Sequence, residues 1–157
     1  MTITPLALAL GKIPSGLFIL TIRHGSDRTG MLASWVMQAG FEPPMISVAV
    51  RKDRYLAEWM TPGAAFVLNC LPEGDKVLLK HFARGFEPGA DAFDGVAVKH
   101  EWQSIPVLTE AAGHLECMVV NHLDSGDHRV FLAEVAGGDA REDAQPWTHV
   151  RKTGLRY

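Results

Sequence analysis

The sequence predicts a mainly β protein: an antiparallel barrel with helices at its periphery. Three observations predict it. Six to eight short runs rich in Val, Ile, Leu, Phe and Thr are separated by breaks containing Gly, Pro, Asp and Asn. Most connections are short enough for hairpins, and Asp124-Ser125-Gly126-Asp127 is a strong hairpin signal. Only two or three segments carry helical spacing, and they do not alternate with the strands, which argues against a doubly wound parallel sheet.

Taken in order, Pro5–Leu10 predicts a short helix ended by Gly11, and Pro14-Ser15-Gly16 a turn. Leu17–Arg23 reads as a strand and the polar Gly25–Gly30 segment as a hairpin connection into a strand over Met31–Val36. A small-residue loop and a rigid Pro43-Pro44 turn follow. Met45–Val50 is nearly continuously apolar, which suits a strand buried on both faces. Asp53–Met60 has helical spacing, with Asp53 as its cap, Leu56, Trp59 and Met60 on one face, and Pro62-Gly63 as its stop. Ala65–Leu71 predicts another strand. Asp75–Arg84 predicts a second amphipathic helix, capped by Asp75, and Gly85–Ala92 a loop. Val96–His100 reads as a short strand, and Leu115–Leu123 with Arg129–Val135 as a hairpin pair. Ala136–Gln145 is polar and turn-rich. Trp147–Tyr157 is a terminal segment suited to adding a strand or covering an opening, with Tyr157 a candidate ring cover.

Composition narrows the function classes. With 157 residues the chain suffices for one domain, residues 1–157, that buries roughly 70% of its unfolded surface. Forty-seven per cent hydrophobic and 21% charged residues fit a globular protein, not a disordered one. A net charge of -3 without a Lys/Arg cluster gives no footprint for nucleic acid. The apolar start lacks a basic leader, and no run approaches a membrane span. Cys70 and Cys117 form no Cys-x-x-Cys, which fits free thiols in a reducing cytoplasm. The seven histidines show no i, i+4 pair and join the cysteines in no zinc pattern, so no metal site is expected. There is no G-x-G-x-x-G, Walker loop, G-x-S-x-G or H-E-x-x-H.

The most informative stretch runs from Met31 to Arg54. Small side chains at Ala33, Ser34 and Ala39 let backbone N–H groups approach a ring edge. Arg51 and Lys52, followed by the Asp53 helix start, are suited to a phosphate. A planar, phosphorylated ligand needs such a layout. Each residue also has a plainer role. Ser34 fits a strand serine bonded to backbone, and Arg51 with Lys52 a solvated pair at a strand end. Trp35 and Trp59 fit core or interface positions, His128 a surface histidine beside a turn, and Cys117 an inert strand residue.

At these residues the chain resembles the flavin reductase family. The resemblance is carried, in family order, by Ile13-Pro14-Ser15-Gly16, the Met31–Val50 block, Phe66-Val67-Leu68-Asn69 and His81-Phe82. Leu115-Glu116-Cys117, Gly126-Asp127-His128 and the closing His149-Val150-Arg151-Lys152-Thr153-Gly154 complete it. The closing segment is most similar to the flavin reductase-like module that ends cyanobacterial flavodiiron proteins. The resemblance implies an FMN-binding split barrel of Greek-key type, a homodimer with FMN at the subunit interface, and NADH or NADPH as donor. It leaves FAD and riboflavin open as substrates. It places Met31, Ala33, Ser34, Trp35, Gln38 and Ala39 along the isoalloxazine, and Val50, Arg51, Lys52 and Arg54 toward the phosphate. Phe82 falls near the ring or ribityl chain, and His128 where nicotinamide approaches, as the catalytic candidate.

Two departures bear on activity. Trp35 stands where many relatives carry a second small hydroxyl residue, which narrows the nicotinamide face. Asp53 and Arg54 stand where many carry Ser or Thr, which shifts the phosphate anchor toward guanidinium. The expected function is transfer of a hydride from nicotinamide to flavin, with electrons passing to oxygen, ferric iron or a partner protein. The alternative is a non-catalytic FMN electron relay reduced by a partner. A barrel holding haem or a flavin precursor without turnover is a third reading.

Overall fold

A computed structural model describes residues 2–156 of the chain, so the expectation for Tyr157 lies outside the described residues. Helix α1 (Pro5–Gly11) starts where Thr4 Oγ1 accepts from the Ala7 amide at 3.2 Å, with Pro5 in the first turn, where no N–H is needed. The strands that follow are β1 (Ser15–Gly16), β2 (Phe18–His24), β3 (Asp27–Ala33), β4 (Val36–Phe41) and β5 (Pro44–Arg51). A 3-10 turn (Tyr55–Trp59) leads to β6 (Ala65–Cys70) and helix α2 (Lys76–Ala83). The hairpin β7 (Val98–Trp102) and β8 (Ile105–Leu108) precedes two long strands, β9 (Gly113–Ser125) and β10 (His128–Ala140), and a terminal β11 (Thr148–His149).

Seven strands form one antiparallel sheet in the order β3-β2-β6-β9-β10-β5-β4. Its two margins, β3 and β4, are consecutive in the chain and are joined only by Ser34 and Trp35. So short a link forces the sheet to curl until its edges meet in a seam. From β5 the chain crosses the barrel end to β6, skipping β9 and β10, which makes the Greek-key crossing.

Alternate residues of each curled strand point inward. Leu20, Ile22, Met31, Ile46, Val48, Val50, Phe66, Leu68, Cys117, Val119, Phe131 and Ala133 share one core. The intervening residues of β2 face outward, where Ile19 packs with Leu78 and Phe82 of α2. Gly30 permits that approach, since a Cβ there would stand 2.8 Å from Cε1 of Phe82. The β7–β8 hairpin covers the outer face of β6 through Val67, Ile105 and Val107. Thr21 Oγ1 donates to the Pro106 carbonyl at 2.7 Å, and the Leu108 amide donates to Asn69 Oδ1 at 3.0 Å.

Several local expectations change. Residues 37–41 are an edge strand rather than a loop, because backbone pairing with β5, through a bulge between Gln38 and Gly40, outweighs their low β propensity. Strand β5 is buried on one face only: Ile46, Val48 and Val50 go inward, while Met45, Ser47 and Ala49 are half-buried. The Asp53–Met60 helix shrinks to the five-residue 3-10 turn, with Arg54 at its cap position and no side-chain cap bond; Asp53 instead pairs with Arg51 at 3.0 Å. Strands β9 and β10 continue past their predicted ends because each supplies the other's ladder, with bulges at Leu132/Ala133 and Val135/Gly137. Asp75 caps α2 as expected, accepting from the Leu78 amide at 3.0 Å. The terminal segment adds β11 to β1 and then lies against α1, where the Gly154 amide donates to the Ala7 carbonyl at 2.8 Å. Among the described residues no helix is long and apolar enough to cross a membrane.

Candidate active site at the barrel seam

The seam opens into a cleft of about 320 Å³, within the range of small-ligand sites. One wall is the β3–β4 link. Met31 and Ala33 line the cleft from the end of β3, and Ser34 and Trp35 of the link continue the lining toward β4. The Ala49 amide donates to the Trp35 carbonyl at 2.9 Å, which fixes that link against β5. Because Ala33, Ser34 and Ala49 have short side chains, main chain lies near the cleft surface. The opposite wall is Leu79 and Ala83 of α2 with Trp147.

The rim is cationic. Arg51 ends β5 and Arg54 opens the 3-10 turn, and both line the cleft. Gly85, at φ +73°, leaves room for Arg54: a Cβ there would stand 2.9 Å from Nη1. The third cation, Arg151, comes from the terminal segment and was not among the expected site residues. Its guanidinium lies over the Trp35 ring, 5.0 Å from the centroid, with Nε and Nη1 buried and without a hydrogen-bond partner among the described residues. A buried guanidinium nitrogen without an acceptor is costly, so these two atoms call for an acceptor beyond the described residues. The legible sign in the sequence is the His149-x-Arg151 alternation, which puts both side chains on one face of an extended segment; both line the cleft.

A second depression, about 400 Å³, shares Trp35, Arg51 and Arg151 with the first and adds Asp127 and His128. The His128 ring packs on Trp35 with centroids 4.5 Å apart, and its Nδ1 donates to Asp127 Oδ1 at 2.7 Å. That hydrogen bond, foremost, holds the exposed Asp127 carboxyl below its usual range.

The structure therefore gathers Met31, Ala33, Ser34, Trp35, Arg51 and Arg54 in one cleft and sets His128 next to it. Five other residues stand elsewhere in this chain. Val50 is 0% exposed and faces the core, as strand alternation requires once Arg51 faces out. Phe82 is 1% exposed, packed beneath α2 against Phe86 and Phe93, so it supports the cleft wall without presenting a face to it. Lys52 turns to Asp124, Nζ to Oδ2 3.5 Å. Gln38 and Ala39 are exposed on edge strand β4, outside the cleft lining.

A flavin fits these residues. Small residues and main chain flank a slot with apolar walls, cations gather at its rim, and Arg151 offers donors with no acceptor among the described residues.

Comparisons with known proteins agree with this geometry. Residues 10–154 match the family model described as "Flavin reductase like domain". The chain is 42% identical over 151 residues to "Diflavin flavoprotein A 1" of Synechocystis, a match covering 95% of this chain and 26% of that protein. The chain thus spans about a quarter of the length of the curated relatives it matches. Among solved structures, the NADH:FAD oxidoreductase SgcE6 of Streptomyces globisporus superposes with a TM-score of 0.83 at 28% identity, covering 91% of this chain and 85% of that one. The same protein in complex with NAD and FAD fragments superposes at 0.82 with 26% identity, covering 96% and 92%. The flavin reductase PheA2 gives 0.77 at 26% identity, covering 91% and 90%. With the family model spanning nearly all of the curled barrel and its cleft, the chain belongs to the flavin reductase-like domain family.

Proposed function

We propose that this chain is an NAD(P)H-dependent flavin reductase that binds FMN in the seam cleft. The observation that carries the reading is the pairing of a small-residue wall with a cationic rim whose Arg151 donors lack an acceptor among the described residues. When bound, the flavin supplies hydride acceptance at N5 and hands the electrons on. Everything else is positioning. Ser34 and the main chain from Ala33 to Trp35 hold the ring edge, and Met31 with Leu79 excludes water from the slot. Arg51 and Arg54 take the phosphate, Arg51 exchanging Asp53 for it. His128, oriented by Asp127, borders the adjoining depression, the place for nicotinamide in this reading. FAD enters as an alternative flavin through the likeness to a reductase seen with FAD fragments.

The protein acts as a homodimer in this proposal, because edge strand β4 leaves Met37 and Phe41 66% and 86% exposed. A reducing cytoplasm suits its two free thiols. Oxygen, ferric iron or a partner protein receives the electrons. One observation favours the relay alternative. Trp35 is covered by His128 and by Arg151, which leaves less open surface for a second planar ring.

Anaerobic mixing separates the two. The protein is loaded with FMN, then offered NADH or NADPH. Bleaching of the flavin absorbance by either donor supports the reductase. Bleaching by dithionite alone supports the relay, and no yellow complex with FMN or FAD rejects the flavin site itself.

A further inference from the structure

We propose that His100, His114 and Glu116 form a site for a divalent transition-metal cation on the outer face of the barrel, separate from the flavin cleft. Strand β9 puts His114 and Glu116 on the same side, two residues apart, while Leu115 and Cys117 turn toward the barrel interior. The β7–β8 hairpin then lays His100 beside them, its ring centroid 5.4 Å from that of His114. A register shift between Val98 and His100 marks a bulge in β7, a feature that re-aims a side chain out of the regular alternation. Room for the carboxylate comes from Gly137 of β10, where a Cβ would stand 2.8 Å from Glu116 Oε2.

The dimensions suit a metal. One ligand atom from each of the three residues lies within 4.8 Å of the other two. Tetrahedral zinc with bonds of about 2.0–2.1 Å separates its ligand atoms by roughly 3.3 Å. His114 Nε2 and Glu116 Oε1 already stand 3.5 Å apart. His100 is exposed and has to swing its ring inward by at most about 1.5 Å, a side-chain adjustment rather than a backbone one. His114 is 7% exposed, so its ring is held in place before any ion arrives. Two imidazoles and one carboxylate leave a fourth position open and favour Zn²⁺ or a neighbouring first-row ion over Mg²⁺ or Ca²⁺. Lys99, Asp139 and Arg141 line the adjacent hollow, and Arg141 is engaged by Asp143 at 3.2 Å.

Such an ion ties β7 to β9, strands of two different sheets, and shares no residue with the cleft lining. Spacing along the chain does not disclose it, because the ligands come from two strands brought together by the hairpin's fold-back.

The test uses the tag-free, chelator-treated full chain titrated with Zn²⁺ against a chromophoric chelator. The expected result is one Zn²⁺ per chain, weakened at least 10-fold by His100→Ala and by Glu116→Gln, and unchanged by His122→Ala on the exposed end of β9. Added Zn²⁺ should also slow amide exchange across Val98–Trp102 in the parent and not in His100→Ala. His100 is exposed, so its removal leaves the fold intact and the comparison readable. Absence of binding at about 100 µM Zn²⁺, or equal affinity in the parent and His100→Ala, overturns the proposal.

Discussion

Replacing Arg151 with Ala separates a ligand-holding role from a structural one. Among the described residues of the ligand-free chain, its guanidinium stacks on Trp35, a contact worth about 0.5–1 kcal/mol at a partly exposed site. Against this stands the cost of burying Nε and Nη1 without acceptors, so the two effects offset each other and the ligand-free fold should change by no more than about 1 kcal/mol. Flavin binding has no such compensation. A hydrogen bond from a charged donor is worth about 1.5–3 kcal/mol, so losing even one raises the FMN dissociation constant about 10- to 150-fold. Arg151→Lys keeps the charge without the planar fork and should recover only part of the loss. Quenching of flavin fluorescence gives the affinity and urea unfolding of the ligand-free protein the stability. An FMN affinity within threefold of the parent, or a stability loss above about 2 kcal/mol with affinity intact, refutes the reasoning.

Arg51 lines the cleft and Lys52 turns away from it, so Arg51→Ala should weaken FMN more than riboflavin, while Lys52→Ala leaves both nearly unchanged by calorimetry. Phe82→Ala removes a fully buried ring and should cost about 3–5 kcal/mol in denaturant unfolding, with bound flavin keeping its absorbance spectrum if Phe82 supports the wall from behind. Burial, then the neighbouring Glu116 carboxylate, pushes the Cys117 thiol up to about 12 from 9.0. Folding thus favours the neutral thiol. The resulting stabilisation is complete below pH 9 and is lost as pH rises from about 9 toward 12, by up to ~1.4 kcal/mol per pH unit. Thermal unfolding from pH 8 to 11 should show that slope in the parent and a shallower one in Cys117→Ala, and native Cys117 should resist alkylation at pH 8.

The sequence by itself determined the barrel, because alternation and hairpin chemistry are local signals. Leu17–Arg23, Ala65–Leu71 and the Asp124–Asp127 turn could be read from a few consecutive residues. It also singled out Ala33, Ser34 and Trp35, because small side chains and the family resemblance are written in the Met31–Arg54 stretch itself; all three line the seam cleft. Only the tertiary structure decided which face each side chain takes. Residues 37–41 become a strand because β5 supplies the ladder, and Val50 and Phe82 stand outside the cleft lining because one faces the barrel core and the other is buried on the inner side of α2. Arg151 enters the cleft because the terminal segment folds back on α1. Periodicity is written residue by residue, whereas the meeting of distant segments depends on how the whole sheet curls, and no short stretch of chain encodes that.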